Sequence, residues 1–250
     1  MLEEIKDREL FDRIAKKYSR KDYYPVSRAA RKFQLDSLIE LCPKNRFAKI
    51  LELGCGPGYN SVYLENKFEA YYGIDISKEC IEIARQLQVP HAIFRQGNAK
   101  DLSQLKNEKF DLILGVGVLH HVDDVNEVLR NIEMLCTQDT LVAFIEPFSG
   151  NPLVQMLRFI RKVIDKKFNK EQSSFKKSDI KKLFAAPGFK IDKIRYQGYF
   201  SPPFAQVILK PMVLFKPICA LAILVDKFIQ KRLNNPLSWN IIWTARKISD

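Results

Sequence analysis

At 250 residues, 46% of them apolar, the chain can bury one sizeable core and suits a single α/β domain with embellishments better than two independent domains. Its net charge of +12 is concentrated, with 13 Lys and Arg against 4 Asp and Glu in residues 157–195, a block that is either a solvated face or an attractor of phosphate-rich partners. The charged opening MLEEIKDREL offers no apolar core for a secretory signal, and five cysteines without a C-x-x-C pair argue for reduced thiols in a cytoplasmic compartment and against a zinc site, so no metal is expected.

Residues 3–17 place Ile5, Leu10, Phe11 and Ile14 near one helical face and predict a helix. YSRKDYYP, with Tyr18, Tyr23 and Tyr24 ahead of Pro25, predicts a polar aromatic loop, and residues 26–42 a second helix ended by Pro43. The stretch that organises the chain follows, KILELGCGPGYN at residues 49–60. Ile50, Leu51 and Leu53 read as a strand buried on both faces, and Gly54, Gly56 and Gly58 follow at alternate positions with Pro57 among them. Glycine has no side chain to hold a ligand away, so such a turn brings bare N–H groups up to one; dinucleotide folds use a related turn, and an ordinary strand-turn-helix corner is the bland alternative.

YYGIDIS, residues 71–77, predicts the second strand, with Asp75 at its carboxyl end, where a carboxylate can accept both hydroxyls of a ribose. Capping the next helix is the competing role, but Ser77 already serves as an N-cap. HAIFRQGNA predicts the third strand, with Asn98 just past its end. Phe110 to Leu114 predict the fourth, Gly115 to His121 a loop, residues 124–136 a helix, and TLVAFIEPFSG a fifth strand ending at Glu146. Strand and helix alternate five times, which implies a parallel sheet with helices on both faces and ligands outside the carboxyl ends of the strands.

Beyond the fifth strand, residues 152–170 read as a basic amphipathic helix and residues 176–189 as a helix for which Gly188 fits the stop, although Pro187 points to an end by Ala186. A sixth strand, FKIDKIRYQGYF, and a last apolar run, LSWNIIWTARKI, bracket residues 202–233, which are apolar and broken by Pro211 and Pro217. The longest charge-free run there, residues 217–225, is too short to span a bilayer.

ELGCGPG, GIDIS, GNAKDL and FDLILGVGVLHHV, in this order over residues 47–147, resemble successive motifs of the class I S-adenosylmethionine-dependent methyltransferases. The third motif departs from the family pattern, with Asn98 where a Gly-Asp dipeptide is common, so a neutral amide oxygen would accept from the adenine amino group. The resemblance implies a doubly wound α/β fold with a seven-stranded sheet, mostly parallel with an antiparallel C-terminal hairpin and helices on both faces. It would comprise a helical cap at 1–46, a cofactor-binding core at 47–147, a basic helical insertion and connecting helix at 148–188, and the hairpin at 189–250 with an apolar insertion at 202–236. It implies S-adenosylmethionine as cofactor. Glu52 and the turn of Gly54, Cys55, Gly56 and Gly58 would hold its amino-acid end. Asp75 would take the ribose, Ile76 and the edge residues Asn98 and Ala99 the adenine, and Gly115 the ammonium through its carbonyl. Tyr18 is a further candidate for the carboxylate.

A sulfonium methyl is already electrophilic, so in-line alignment and exclusion of water suffice unless the acceptor must lose a proton. His120, preferred over His121, is the candidate base, and Glu146 a candidate to orient an acceptor hydroxyl; packing and helix capping are the competing roles for both. The basic helix and the apolar segment favour a small-molecule or lipid-linked acceptor and peripheral contact with an anionic membrane surface, unless both simply pack on the sheet edge. An RNA or DNA methyltransferase is the second reading, against which stand the missing Asn-Pro-Pro-aromatic motif and the missing recognition module. A non-catalytic cofactor-binding subunit is the third.

Overall fold

The computed structural model describes residues 2–152, 154–156, 175–185, 188–233 and 236–248. Its centre is a seven-stranded sheet in the order β3-β2-β1-β4-β5-β7-β6. The strands are β1 (Phe47–Leu53), β2 (Phe68–Asp75), β3 (Ala92–Gln96), β4 (Leu112–Val116), β5 (Leu141–Pro147), β6 (Phe189–Gln197) and β7 (Asn240–Lys247). The first five run parallel, and β7 enters antiparallel between β5 and β6, so the last two strands form the expected hairpin. β1 pairs with β2 on one side and β4 on the other, bringing Leu53 level with both Ile74 and Gly115; the direction of winding reverses there and a crevice opens above the strand ends.

Both faces of the sheet are covered, which is why the central strands are apolar at consecutive positions rather than alternating. On one face Leu51, Leu53, Ile113, Val142, Phe144 and Trp243 pack under α5 (Val125–Leu135) and α6 (Lys177–Ala185). On the other, Ile50, Leu112, Leu114 and Ile145 pack under α2 (Pro25–Ile39), α3 (Tyr59–Tyr63) and α4 (Lys78–Gln86). A third, smaller layer lies outside α2, whose Val26 and Ala30 meet Phe204 and Ala205 of α7 (Pro202–Gln206) and Cys219 and Ala222 of α8 (Met212–Arg232).

Three expectations change. The polar aromatic loop at Tyr18–Pro25 is instead helical: α1 runs Leu2–Tyr23, since nothing before Pro25 breaks it, and only Tyr24 is extended, the conformation that a following proline favours. Pro25 then opens α2, where its missing N–H costs nothing. Pro217 does not break the apolar segment but lies within α8; a proline removes a hydrogen bond from the residue four back, here the largely exposed Val213. The fourth strand is Leu112–Val116 rather than 110–114, because Phe110 belongs to the approach and packs on Tyr72. The basic helix expected at 152–170 lies, beyond its first residues, outside those described.

Candidate active site

The glycine turn between β1 and α3 holds Gly54, Gly56 and Gly58 at φ of +64°, +52° and +80°, a left-handed conformation that a side chain strains. Space adds to strain at two of them. A Cβ on Gly54 would lie 2.6 Å from Val118 Cγ2 and one on Gly58 2.7 Å from Ala84 Cβ, whereas one on Gly56 would meet nothing within 4 Å. Gly56 therefore faces open space, and the turn presents bare backbone there.

Asp75 fixes that turn. Its Oδ2 accepts the Gly56 N–H at 2.7 Å and its Oδ1 the Ser77 N–H at 2.9 Å, tying the turn to the end of β2. Burial pushes its carboxyl up, and these two backbone donors oppose the rise. Ser77 itself caps α4, its Oγ accepting from the Cys80 N–H. Asp12 of α1 accepts from the Ser77 hydroxyl at 2.6 Å and the Glu79 N–H at 3.2 Å, so α1 is fastened across the mouth of β2.

Glu52, fully buried at the end of β1, accepts from Asn60 Nδ2 at 2.5 Å and from the Tyr71 hydroxyl. Burial pushes its carboxyl up to about 7 despite both bonds, and nearby Asp75 adds to the rise. Cys55 is buried and burial holds its thiol well above the usual range, so it contributes an uncharged side chain. Ile76 is half-buried beside Asp75. Asn98 and Ala99 follow β3 as expected, but Asn98 Oδ1 already accepts the Lys100 N–H at 2.9 Å in a local turn. Gly115 is tightly enclosed: a Cβ there would lie 2.6 Å from both Phe144 and Val118.

At the far side of the crevice Glu146, at the end of β5, is fully buried. Its Oε1 accepts the N–H groups of Val118 and Leu119 at 2.9 and 2.7 Å, and its Oε2 lies 2.7 Å from His120 Nδ1. Both oxygens thus face the loop after β4. His120 packs against His121 with the rings tilted by 39° and 4.0 Å between centroids, and Phe11 of α1 meets His121 edge-on at 5.1 Å.

The sequence reading missed the polar cluster on the α3 side of the turn. Asp22 Oδ1, near the end of α1, accepts from Arg31 Nε at 2.7 Å and from the Tyr63 hydroxyl at 2.6 Å, and Asp22 Oδ2 is buried with no protein partner. The Arg31 guanidinium stacks over the Tyr18 ring, 5.0 Å from its centroid, and lies close enough to Glu52 to favour its charged form. A lone arginine on a helix gives no sequence signal until the fold sets it beside an orphaned acid. A cation and a bare carboxylate oxygen beside a glycine turn suit a ligand bearing both a carboxylate and an ammonium, as the amino-acid end of S-adenosylmethionine does. Among the described residues no cluster of three His, Cys, Asp or Glu could hold a metal ion.

A methyltransferase-domain family matches residues 26–194, about two-thirds of the chain, and the chain belongs to the class I S-adenosylmethionine-dependent methyltransferases. Among curated relatives, a ubiquinone biosynthesis O-methyltransferase of Pseudomonas entomophila is 26% identical over 129 residues, covering 50% of this chain and 53% of that protein. The O-antigen chain terminator bifunctional methyltransferase/kinase of Escherichia coli is 33% identical over 94 residues, covering 34% of this chain and 13% of that protein. Matches to the curated relatives thus span from an eighth to about half of their length. Among solved structures, a Thermotoga maritima protein described as a methyltransferase, possibly acting on histamine, superposes with a TM-score of 0.68 at 19% identity, covering 96% of this chain and 99% of that one, which establishes the shared fold.

Proposed function

We propose that the protein transfers the methyl group of S-adenosylmethionine to a small-molecule or lipid-linked acceptor, working in the cytoplasm and at the periphery of a membrane. The observation that carries this reading is the Asp75 bridge, which locks an open glycine turn at the switch point of the sheet. Gly54, Cys55, Gly56 and Gly58 pass the cofactor's backbone-facing edge, and Asp75 receives the ribose hydroxyls. Glu52 and the Gly115 carbonyl serve the ammonium, while Arg31, with Tyr18 packed on it, serves the carboxylate. Ile76 lies against the adenine, and Asn98 and Ala99 meet its edge, Asn98 accepting through the second lone pair of an oxygen already bonded to Lys100.

When bound, the cofactor supplies an electrophilic methyl on sulfur, and the acceptor's lone pair displaces the thioether in line. The chain's part is to orient the acceptor, keep water out and take one proton where the acceptor is an alcohol or phenol. Glu146 acts as a positioning residue: with Oε2 on Nδ1 it selects the imidazole tautomer whose Nε2 accepts a proton, and with Oε1 it fixes the loop that carries His120. α1 closes the crevice from above through Phe11 and Asp12.

Calorimetric titration with S-adenosylmethionine and S-adenosylhomocysteine tests the reading. The wild-type chain is expected to bind both, and Asp75→Ala to bind at least about tenfold more weakly, one lost charge-assisted contact being worth roughly 1.5–3 kcal/mol. Asp75→Asn, which keeps one acceptor oxygen, should fall between them. A folded wild-type chain that binds neither compound refutes the assignment.

A further inference from the structure

α8 is amphipathic in the inverted sense. Its buried stripe is small and polar, Cys219, Ala222, Asp226 and Gln230. Asp226 accepts from the N–H groups of Tyr199, Phe200 and Ser201 and from the Ser201 hydroxyl, and Gln230 donates to Ser37 Oγ of α2. This face is therefore fixed inward by bonded polar groups, and the helix cannot turn over without stranding a carboxylate. Its opposite face carries Val213, Leu221, Leu224 and Phe228 at 85%, 61%, 65% and 56% exposure, with Leu214 and Ile218 also exposed. Spacings of seven, three and four residues place Leu214, Leu221, Leu224 and Phe228 in one stripe of about four turns.

The charged residues beside this stripe are all basic: Lys216, Lys227, Lys231 and Arg232, the last stacked over Phe228 with its guanidinium 4.3 Å from the ring centroid. The one acid of the helix, Asp226, is buried on the opposite side. An apolar stripe between cations matches a bilayer surface containing anionic lipid, with the side chains among the acyl chains and the ammonium groups at the phosphates. Pairing with a second copy would instead bring two basic rims together. No helix among the described residues is long and apolar enough to cross a membrane, so the contact lies in the plane of the surface.

We propose that the exposed face of α8 docks the protein on an anionic membrane surface, with Leu221, Leu224 and Phe228 inserted at the interface. This rests on the membrane-peripheral part of the function proposed above and specifies it. α2 links the two regions, since Val26 and Ala30 pack on Cys219 and Ala222 while Arg31, one residue on, pairs with Asp22 at the crevice. A lipid-linked acceptor would then enter from the side on which the protein rests.

Vesicle flotation tests the docking surface. The wild-type chain is mixed with vesicles of phosphatidylcholine alone or with about one-third phosphatidylglycerol, the excess of anionic lipid making the electrostatic share readable. Binding is expected to the anionic vesicles and to weaken at least tenfold in Leu221→Glu/Leu224→Glu, and severalfold in Lys227→Gln/Lys231→Gln, with helix content and S-adenosylhomocysteine affinity unchanged. No vesicle binding by the wild-type chain, or equal binding by the Leu221→Glu/Leu224→Glu variant, overturns the proposal. So does a dimer in solution that the same variant dissociates without any difference in vesicle binding. Because cofactor affinity is read separately, a chain that binds S-adenosylhomocysteine but not vesicles loses the docking surface and keeps the methyltransferase reading.

Discussion

Burial raises the Glu52 carboxyl to about 7 against the pull of Tyr71 and Asn60, and this couples stability to pH. A carboxyl that holds its proton more tightly in the folded chain stabilises the fold while protonated. That contribution is complete below about 4.5, the ordinary value, and is lost as pH rises through about 7. The span corresponds to about 3 kcal/mol at most. Glu52→Gln, which keeps an uncharged partner for Tyr71 and Asn60, is expected to flatten this part of the profile, seen as a Tm that no longer falls between mildly acid and neutral pH. A variant with an unchanged slope would assign the dependence to another group. His120 and Glu146 separate by a different readout. His120→Ala should lower kcat by about 10²–10⁴-fold with an alcohol or phenol acceptor, leaving cofactor affinity unaltered. Glu146→Gln should retain part of the activity, lowering kcat while leaving S-adenosylhomocysteine affinity unaltered, because the amide no longer favours one imidazole tautomer. Equal activity of His120→Ala and wild type would show that the acceptor needs no base.

At the scale of elements, α1 shows where the sequence was readable and where it was not. Its apolar spacing predicts a helix, but the polar YSRKDYY tail reads as a loop because what holds it lies outside the helix: Asp22 reaches Arg31 of the next helix, nine residues on, and Tyr63, 41 residues on. The existence of β1, β2 and β4 was legible from their apolar runs, since strands covered on both faces are largely apolar, although β2 begins earlier and β4 later than those runs suggest; Asp75 and the glycines were legible because a parallel sheet puts ligand contacts at strand ends. The partners of those residues were not, since Asp12 meets Ser77 across 65 positions and Glu146 meets His120 across 26. α8 was hardest, because a stripe of Leu and Phe ordinarily points inward, and only the bonded Asp226 and Gln230 reverse it. The tie from α1 to α4 can be cut alone. Asp12→Ala removes the acceptor for Ser77 and Glu79, and should raise amide exchange throughout the first turns of α1 while global stability falls by only about 1 kcal/mol. Faster release of S-adenosylhomocysteine in stopped flow should accompany it. Exchange unchanged in α1 would mean that its other anchors, Phe11 packed on His121 and Asp22 bonded to Arg31 and Tyr63, suffice to hold the cap.

For the whole molecule, the crevice is bounded by parts from separate stretches of the chain that are fastened to one another: the glycine turn and β2 end below, α1 above, and the loop after β4 at the side. A ligand seated there contacts all of them, and it contacts them together only in the folded state. Binding must then stabilise the entire fold, by about 1.4 kcal/mol for each tenfold rise in free ligand once its concentration exceeds Kd. Thermal unfolding of the wild-type chain over a series of S-adenosylhomocysteine concentrations should show Tm climbing with the logarithm of concentration. Asp75→Ala should climb with the same slope but begin at a higher concentration, since the slope reflects one site per chain and the onset reflects Kd. If the ligand instead raised protection of the glycine turn in amide exchange without moving Tm, the turn would open by itself rather than with the sheet. The single cooperative unit implied by two apolar layers sharing one sheet would then be ruled out.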